Sequence, residues 1–76
     1  MQKLLVECEP GSKVKIVNIN AGLKARKNLQ NFGIQFGDIV KIKRKNIMKG
    51  PMIVESNGSE IAIGYGLAQK IIVEEE

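Results

Sequence analysis

Five short segments of this chain carry apolar residues in alternation with polar ones or in a brief run, as strands with a buried face do. The predicted strands are 14–19, 39–45, 52–55, 60–63 and 71–73. In the second of them, Val40 and Ile42 are expected to point inward and Lys41 and Lys43 outward. The pattern therefore predicts a mainly β fold.

The spacing of apolar residues changes between the first two predicted strands. A face with a period of three to four residues begins at Leu23 and continues through Arg26 or Lys27, Leu29 or Gln30, and Phe32, which predicts one short amphipathic helix. Gly33 stands where a glycine would end this helix, since glycine adopts the left-handed conformation without steric cost. A single helical turn is also expected at 64–69.

Glycines mark the other predicted structural turns. Gly22 interrupts the pattern before the helix, and Gly37 lies in the connection from the helix to the second strand. Gly58 follows Asn57, and both residue types tolerate the positive φ of a tight hairpin turn. With Gly33, these positions divide the chain into its predicted elements.

Residues 1–76 are expected to form a single domain, because no repeat, linker or shift of composition divides them. Short strands in so few residues leave exposed edges unless the sheet curls. We therefore expect a small, closed or nearly closed five-stranded barrel with the helix between its first two strands.

The net charge and the cysteine content limit which classes of partner and which cellular compartment suit this chain. Twelve Lys and Arg against eight Asp and Glu give a formal charge of +4, which suits acidic proteins, nucleic acid or anionic membrane surfaces. The only cysteine is Cys8, so neither an intrachain disulfide nor a cysteine-only zinc cluster can form. No signal peptide and no apolar run of about 20 residues is apparent, which predicts a cytoplasmic protein without direct membrane insertion.

The order of these features resembles the FeoA family. Leu29, the run Phe32-Gly33-Ile34, and Gly37 stand where that family has a leucine, Leu-Gly-Ile and the glycine of Pro-Gly, followed at once by a strand. Segments 50–54, 61–63 and 68–73 also match, so the resemblance spans about residues 8–73.

Three positions depart from the family pattern. Asn28 replaces a common arginine, Phe36 replaces the usual proline, and Gly64 stands where a basic residue is frequent. These changes bear on contacts with partners more than on the glycine turns or the inward apolar positions.

The resemblance implies an SH3-like barrel that acts in the cytosol as an accessory or regulatory protein of ferrous iron uptake. Its implied partner is the cytosolic, GTP-binding part of a FeoB-type membrane permease. The same module occurs as a C-terminal domain of some iron-responsive repressors, so the module by itself does not establish a transport role.

The densest basic cluster comprises Lys41, Lys43, Arg44 and Lys45. Such a cluster fits a solvated strand face whose lysines protect an edge. It equally fits a landing surface for an acidic region of the permease, where peripheral charges raise the association rate.

An apolar patch is predicted beside this cluster, formed by Phe36, Ile47, Met48, Pro51 and Met52. The alternative for each of these residues is membership of the core. The two sets together give the predicted partner-binding residues Phe36, Lys41, Lys43, Arg44, Lys45, Met48 and Met52.

Few residues could support catalysis or bind metal. The chain has no histidine, and no serine stands beside an evident base, so we predict no catalytic residue and a non-enzymatic role. Glu7, Cys8 and Glu9 are potential ligands of a transition metal such as iron(II), although a cysteine on a strand is more often a small buried hydrophobe. We therefore predict no metal site and expect no cofactor.

Two other functions and one assembly state stay open. A basic barrel could bind nucleic acid through the lysine cluster, although the stacking aromatics usual in such modules are few here. The chain could instead be an iron-sensing module, and it could form a homo-oligomer.

Overall fold

The computed structural model describes residues 2–46 and 48–76. These residues form a six-stranded antiparallel sheet with the strand order β1-β6-β2-β3-β4-β5. The strands are β1 (Gln2–Leu4), β2 (Lys13–Ile19), β3 (Ile39–Arg44), β4 (Met52–Ser56), β5 (Ser59–Ile63) and β6 (Ile71–Glu75). The helices are α1 (Leu23–Asn31) and α2 (Tyr65–Ala68), and a 3₁₀ turn covers Leu5–Glu7.

The mainly β fold is confirmed, but the strand count is six instead of five. The additional strand is β1, whose residues Gln2, Lys3 and Leu4 lie opposite Glu74, Val73 and Ile72 of β6. Three residues are too few to show an alternating pattern, and this strand depends on pairing with the far end of the chain. Because β1 precedes the others, α1 lies between the second and third strands and not between the first two.

One hydrophobic core lies on the inner face of this sheet. Its members come from every strand except β1 and from both helices, so the sheet must curl around them. They are Leu5, Cys8, Val14, Ile16, Leu29, Ile34, Val40, Ile42, Met52, Val54, Ile61, Ile63, Ala68, Ile71 and Val73. The alternation read in the sequence of β3 is present, with Val40 and Ile42 buried between exposed neighbours.

Helix α1 ends in a Schellman motif. The amide of Ile34 donates to the carbonyl of Leu29 at 2.8 Å, and the amide of Gly33 donates to that of Gln30 at 2.9 Å. Gly33 has a φ of 88°, which is favourable only for glycine. Leu29 and Ile34 are both buried, which supplies the apolar contact that accompanies this motif. Leu29, Gly33 and Ile34 together therefore form the motif that ends α1.

The hairpin β4–β5 turns at Asn57 and Gly58, whose φ values are 53° and 83°. Positive φ at both central residues is typical of a type I′ turn. Gly22, in contrast, has a φ of −65° as the N-cap of α1, so its position needs no left-handed conformation.

Neither helix of the described residues has the length and apolar character needed to cross a bilayer.

Candidate functional site

The outer face of β3 lies in the middle of the curled sheet. Lys41 is directly opposite Lys13 of β2 on one side and Glu55 of β4 on the other. Glu55 is in turn opposite Glu60 of β5. Directly opposed residues share a face, so one row across four strands reads Lys13, Lys41, Glu55, Glu60.

Three of the four predicted basic residues form ion pairs within the chain. The ammonium nitrogen of Lys43 lies 3.3 Å from Glu55, and the guanidinium of Arg44 lies 3.5 Å from Glu60. Lys45 reaches Glu9 at 3.6 Å. These ion pairs compensate three of the four cations in the predicted basic cluster. Lys41 is the one member of that cluster without an ion pair among the described residues.

Lys41 also belongs to a second surface, which we call the basic face. It consists of Lys13, Lys15 and Lys41, with the apolar Ile39 between them. Lys15 lies directly opposite Ile39 across β2 and β3. The three lysines are exposed and make no ion pair shorter than 4 Å within the described ranges. Ile39 is 50% exposed, which is unusual for an isoleucine in the middle of a sheet.

A shallow groove of about 370 Å³ runs along this face. Its walls are Lys13, Ile39, Val40, Lys41, Glu55 and Asn57. The groove is open to solvent and carries two ammonium groups on one side and one carboxylate on the other. It is thus suited to an acidic or amide-bearing side chain more than to an apolar ligand.

Phe36 lies at the tip of a turn between α1 and β3. The amide of Asp38 donates to the carbonyl of Gln35 at 3.1 Å, and the Asp38 carboxylate accepts a hydrogen bond from the amide of Gln35 at 3.0 Å. Gly37, at the third position, has a φ of 92°, as a type II turn requires. Phe36 occupies the second position, where proline is favoured, and its side chain is 73% exposed.

A cleft of about 140 Å³ lies under Phe36, between α1 and the end of β2. Arg26 and Gln30 of α1 line one side, and Asn18 and Ile19 of β2 line the other. Helix α1 itself buries only Leu29 fully, so most of its surface is accessible beside this cleft.

The predicted apolar patch does not form as one surface. Met52 is 1% exposed and belongs to the core, because β4 turns it inward together with Val54. Met48 is 83% exposed and Pro51 is exposed, while Ile47 lies outside the described residues. Phe36, Met48 and Pro51 are therefore the exposed members of the predicted patch that the structure describes.

The potential metal ligands Glu7, Cys8 and Glu9 point in different directions. Glu7 accepts a hydrogen bond from the amide of Leu4 at 2.8 Å, and Glu9 faces Lys45. Cys8 is fully buried, and this burial raises the pKa of its thiol, which disfavours the thiolate that binds metals. Within residues 2–46 and 48–76, no group of three or more acidic, cysteine or histidine side chains is placed to hold a metal ion.

Sequence reasoning missed Lys13, Lys15 and Ile39. The alternation of Lys13 and Lys15 with Val14 and Ile16 does indicate that the two lysines point outward. The opposition of Lys13 to Lys41 depends on strand register, and the pairing of Lys45 with Glu9 depends on tertiary structure, so neither can be read from neighbours in the sequence.

Comparison with known proteins gives consistent results. The family model for the FeoA domain matches residues 3–75. A protein of Methanocaldococcus jannaschii described as "Putative Fe(2+) transport protein A" is 41% identical over 71 residues, which cover 93% of this chain and 84% of that protein. The crystal structure of an iron uptake regulatory protein (FeoA) superimposes with a TM-score of 0.92 and 34% identity, over 100% of both chains.

A manganese-dependent transcriptional repressor also shares this fold. It superimposes with a TM-score of 0.91 at 18% identity and covers 99% of this chain but 42% of its own. At that identity the likeness concerns the fold alone. The architecture is the SH3-like one that the family resemblance implied.

Proposed function

The chain belongs to the FeoA domain family, and from this premise we propose that it is a non-enzymatic accessory protein of ferrous iron uptake. The observation that carries the proposal is the family match over residues 3–75, together with the relative that is 41% identical and bears an Fe(2+) transport name. Its partner in this proposal is the cytosolic part of a FeoB-type GTP-binding permease, and its place of action is the cytoplasmic side of the membrane.

The basic face is the contact surface that we assign to this partner. Like charges placed directly opposite each other across strands destabilise a sheet, so the opposition of Lys13 and Lys41 has no benefit for folding. An acidic surface would remove this repulsion on binding. Ile39, half exposed between the lysines, supplies apolar area at the centre of a polar contact, as is usual in interfaces.

Phe36 supports the same assignment as an aromatic anchor. The type II turn holds it away from the core, with 73% of its side chain exposed. Aromatic residues, phenylalanine among them, are enriched in interfaces relative to the rest of the surface. Lys43, Arg44 and Lys45 are assigned a smaller role, since each is already close to a carboxylate of this chain.

The proposal is tested by measuring association of the purified protein with the cytosolic region of the permease from the same host. We expect binding at low salt that weakens as salt is added, because exposed charges are screened. Lys13→Gln and Lys41→Gln should each lower the association rate by about 2- to 10-fold. Lys70→Gln, which removes the same charge from a site away from the basic face, is the matched control.

Three outcomes separate this proposal from other partners of a basic protein. Equal losses in Lys41→Gln and Lys70→Gln would show that only net charge matters. No binding at low salt, together with unchanged iron(II) uptake in a deletion strain, would contradict the function. Salt-dependent binding of labelled RNA or DNA by the same face, without permease binding, would favour the nucleic-acid alternative.

A further inference from the structure

In the part of the chain that the structure describes, strand β5 lies at one edge of the sheet and is paired only on its β4 side. The β4–β5 hairpin fixes which backbone groups point toward β4. In a two-residue hairpin, the residues that flank the turn exchange both of their hydrogen bonds, and bonded and non-bonded pairs then alternate. Ser56 and Ser59 flank this turn, so the non-bonded positions of β5 are Glu60 and Ala62.

The amides and carbonyls of Glu60 and Ala62 therefore point away from the sheet. Strand pairing places β5 against β4 alone, and among the other hydrogen bonds within residues 2–46 and 48–76 none involves these four groups. Both residues are exposed. The edge thus presents two donors and two acceptors at the spacing of a strand.

The features that protect such an edge are fewer on β5 than on the opposite edge. Edge strands are commonly shortened, or carry proline or charged residues, above all lysine. The opposite edge, β1, is only three residues long and contains Lys3. Strand β5 has five residues with neither proline nor lysine, and its one charged side chain, Glu60, is paired with Arg44 at 3.5 Å. Behind it, Ile61 is the most exposed member of the core at 9%, so the core is least covered along this edge.

We infer that β5 is a self-association edge, at which a second copy of this chain adds its own β5 in antiparallel orientation. A two-fold axis through Ile61 would place Glu60 of each copy directly opposite Ala62 of the other. All four outward backbone groups of each copy are then paired, giving four hydrogen bonds across the axis. The two Ile61 side chains meet at the axis and cover the least protected part of each core.

Other registers of the same strands are less suitable. An axis at Glu60 would oppose two carboxylates, which destabilises an antiparallel pair. An axis at Ala62 would place Glu60 opposite Gly64, whose carbonyl already accepts the amide of Ala68 at 2.9 Å as helix α2 begins. The register centred on Ile61 avoids both problems.

This contact is small. Two five-residue strands bury much less than the roughly 1,200 Å² of a standard stable interface, so the dimer should form and dissociate readily. It leaves the basic face of each copy accessible, because Lys41 lies two strands away from β5. The inference does not rest on the proposed permease contact.

Hydrogen exchange measured by NMR tests the edge directly. From about 10 μM to about 1 mM protein, the range of weak dissociation constants, the amides of Glu60 and Ala62 should become protected while exposed loop amides do not. Ala62→Pro removes one of the outward N–H groups without removing a β4–β5 hydrogen bond, so it should abolish concentration-dependent protection at Glu60. Ala62→Ser keeps the amide and is the matched control.

Charge substitutions at the same position test the register. Ala62→Lys places an ammonium opposite Glu60 of the second copy, twice per dimer, and should tighten self-association by about 2- to 30-fold. Ala62→Glu should weaken it by a similar factor. If only net charge mattered, Ala62→Lys would weaken self-association and Ala62→Glu would strengthen it. The first raises the formal charge above +4 and so increases repulsion between copies, and the second lowers it.

Sedimentation equilibrium gives the dissociation constants for these variants. A monomer at every concentration, with fully exchanging Glu60 and Ala62 amides, would overturn the inference. So would a dimer that Ala62→Pro leaves intact, or one that Ala62→Lys weakens and Ala62→Glu strengthens.

Discussion

Lys13 and Lys41 lie directly opposite each other on β2 and β3, with both side chains on the outer face of the sheet. Lys41 also faces Glu55 across β3 and β4, but the Glu55 carboxylate is bonded to Lys43 at 3.3 Å. The repulsion between the two lysines is therefore only partly compensated. This relationship connects the fold to the proposed function, because the same pair weakens the folded state and attracts an anionic partner.

Replacing Lys13 should raise stability and lower binding together. Lys13→Glu converts the repulsion with Lys41 into attraction, so we expect the free energy of unfolding to rise by about 0.5 to 1 kcal/mol. Lys13→Gln removes the repulsion without adding attraction, so its free energy of unfolding should lie between those of Lys13→Glu and the native protein. Urea denaturation at low and high salt measures the stability of both variants, and the gain in free energy of unfolding should shrink as salt rises. A loss of stability in Lys13→Glu would contradict this account of the pair.

Met52 and Met48 should respond very differently to truncation. Met52 is 1% exposed in the core, so Met52→Ala should cost about 2 to 5 kcal/mol through lost apolar burial and the cavity left behind. That is a large part of the roughly 4 to 11 kcal/mol expected for a chain of this length. Met48 is 83% exposed, and Met48→Ala should change stability by no more than about 0.5 kcal/mol. Similar unfolding midpoints for the two variants would show that Met52 is not a core residue.

Gly33 should be sensitive to substitution for a reason unrelated to packing. An added Cβ there meets no atom within 4 Å, but φ is 88°. Gly33→Ala should therefore cost about 1 to 2 kcal/mol through backbone strain alone. Gly66, in α2, also has open space around a Cβ and lacks a positive φ, so Gly66→Ala should be neutral or stabilising by up to about 1 kcal/mol. Thermal unfolding of the two variants should show shifts of opposite sign, or a shift for Gly33→Ala alone.

Features set by neighbouring residues could be predicted from the sequence. The stop of α1 at Gly33 and the hairpin turn at Gly58 depend on local backbone preferences, and each is followed by the element that the pattern predicts. The inward and outward positions of β3 depend only on the period of a strand. For these reasons the sequence predicts the helix, the hairpin and the lysine-bearing strand at nearly the observed bounds.

Features set by distant residues could not be predicted in the same way. Strand β1 exists because Gln2–Leu4 pairs with β6 at the other end of the chain. The basic cluster is reduced by Glu9, Glu55 and Glu60, and the pairing of each with its cation depends on the folded register. Met52 could be assigned to the core or to a contact surface from its sequence context, and only the direction of β4 decides between them.

The ion pair between Lys3 and Glu75 joins the short strand β1 to β6 and should make their contact dependent on pH. The hydrogen bond from Lys3 holds the pKa of the Glu75 carboxyl below its usual 4.5, and the same bond raises the pKa of Lys3 above 10.5. For Glu75, the stabilisation is present above the unfolded-state pKa and is lost as pH falls through the lower folded value. For Lys3, it is present below the unfolded-state pKa and is lost as pH rises through the higher folded value.

The Lys3 side chain is partly exposed and that of Glu75 is exposed, so solvent screens the pair, and its effect should be visible as a titration shift more than as a large change in global stability. Carbon-detected NMR titration should give Glu75 a pKa below its usual 4.5. Lys3→Met should return the Glu75 pKa toward 4.5, and added salt should do so in part. Lys70→Met removes the same charge from another strand end and should leave the Glu75 pKa unchanged. An unchanged Glu75 pKa in Lys3→Met would mean that Lys3 does not hold the edge of the sheet.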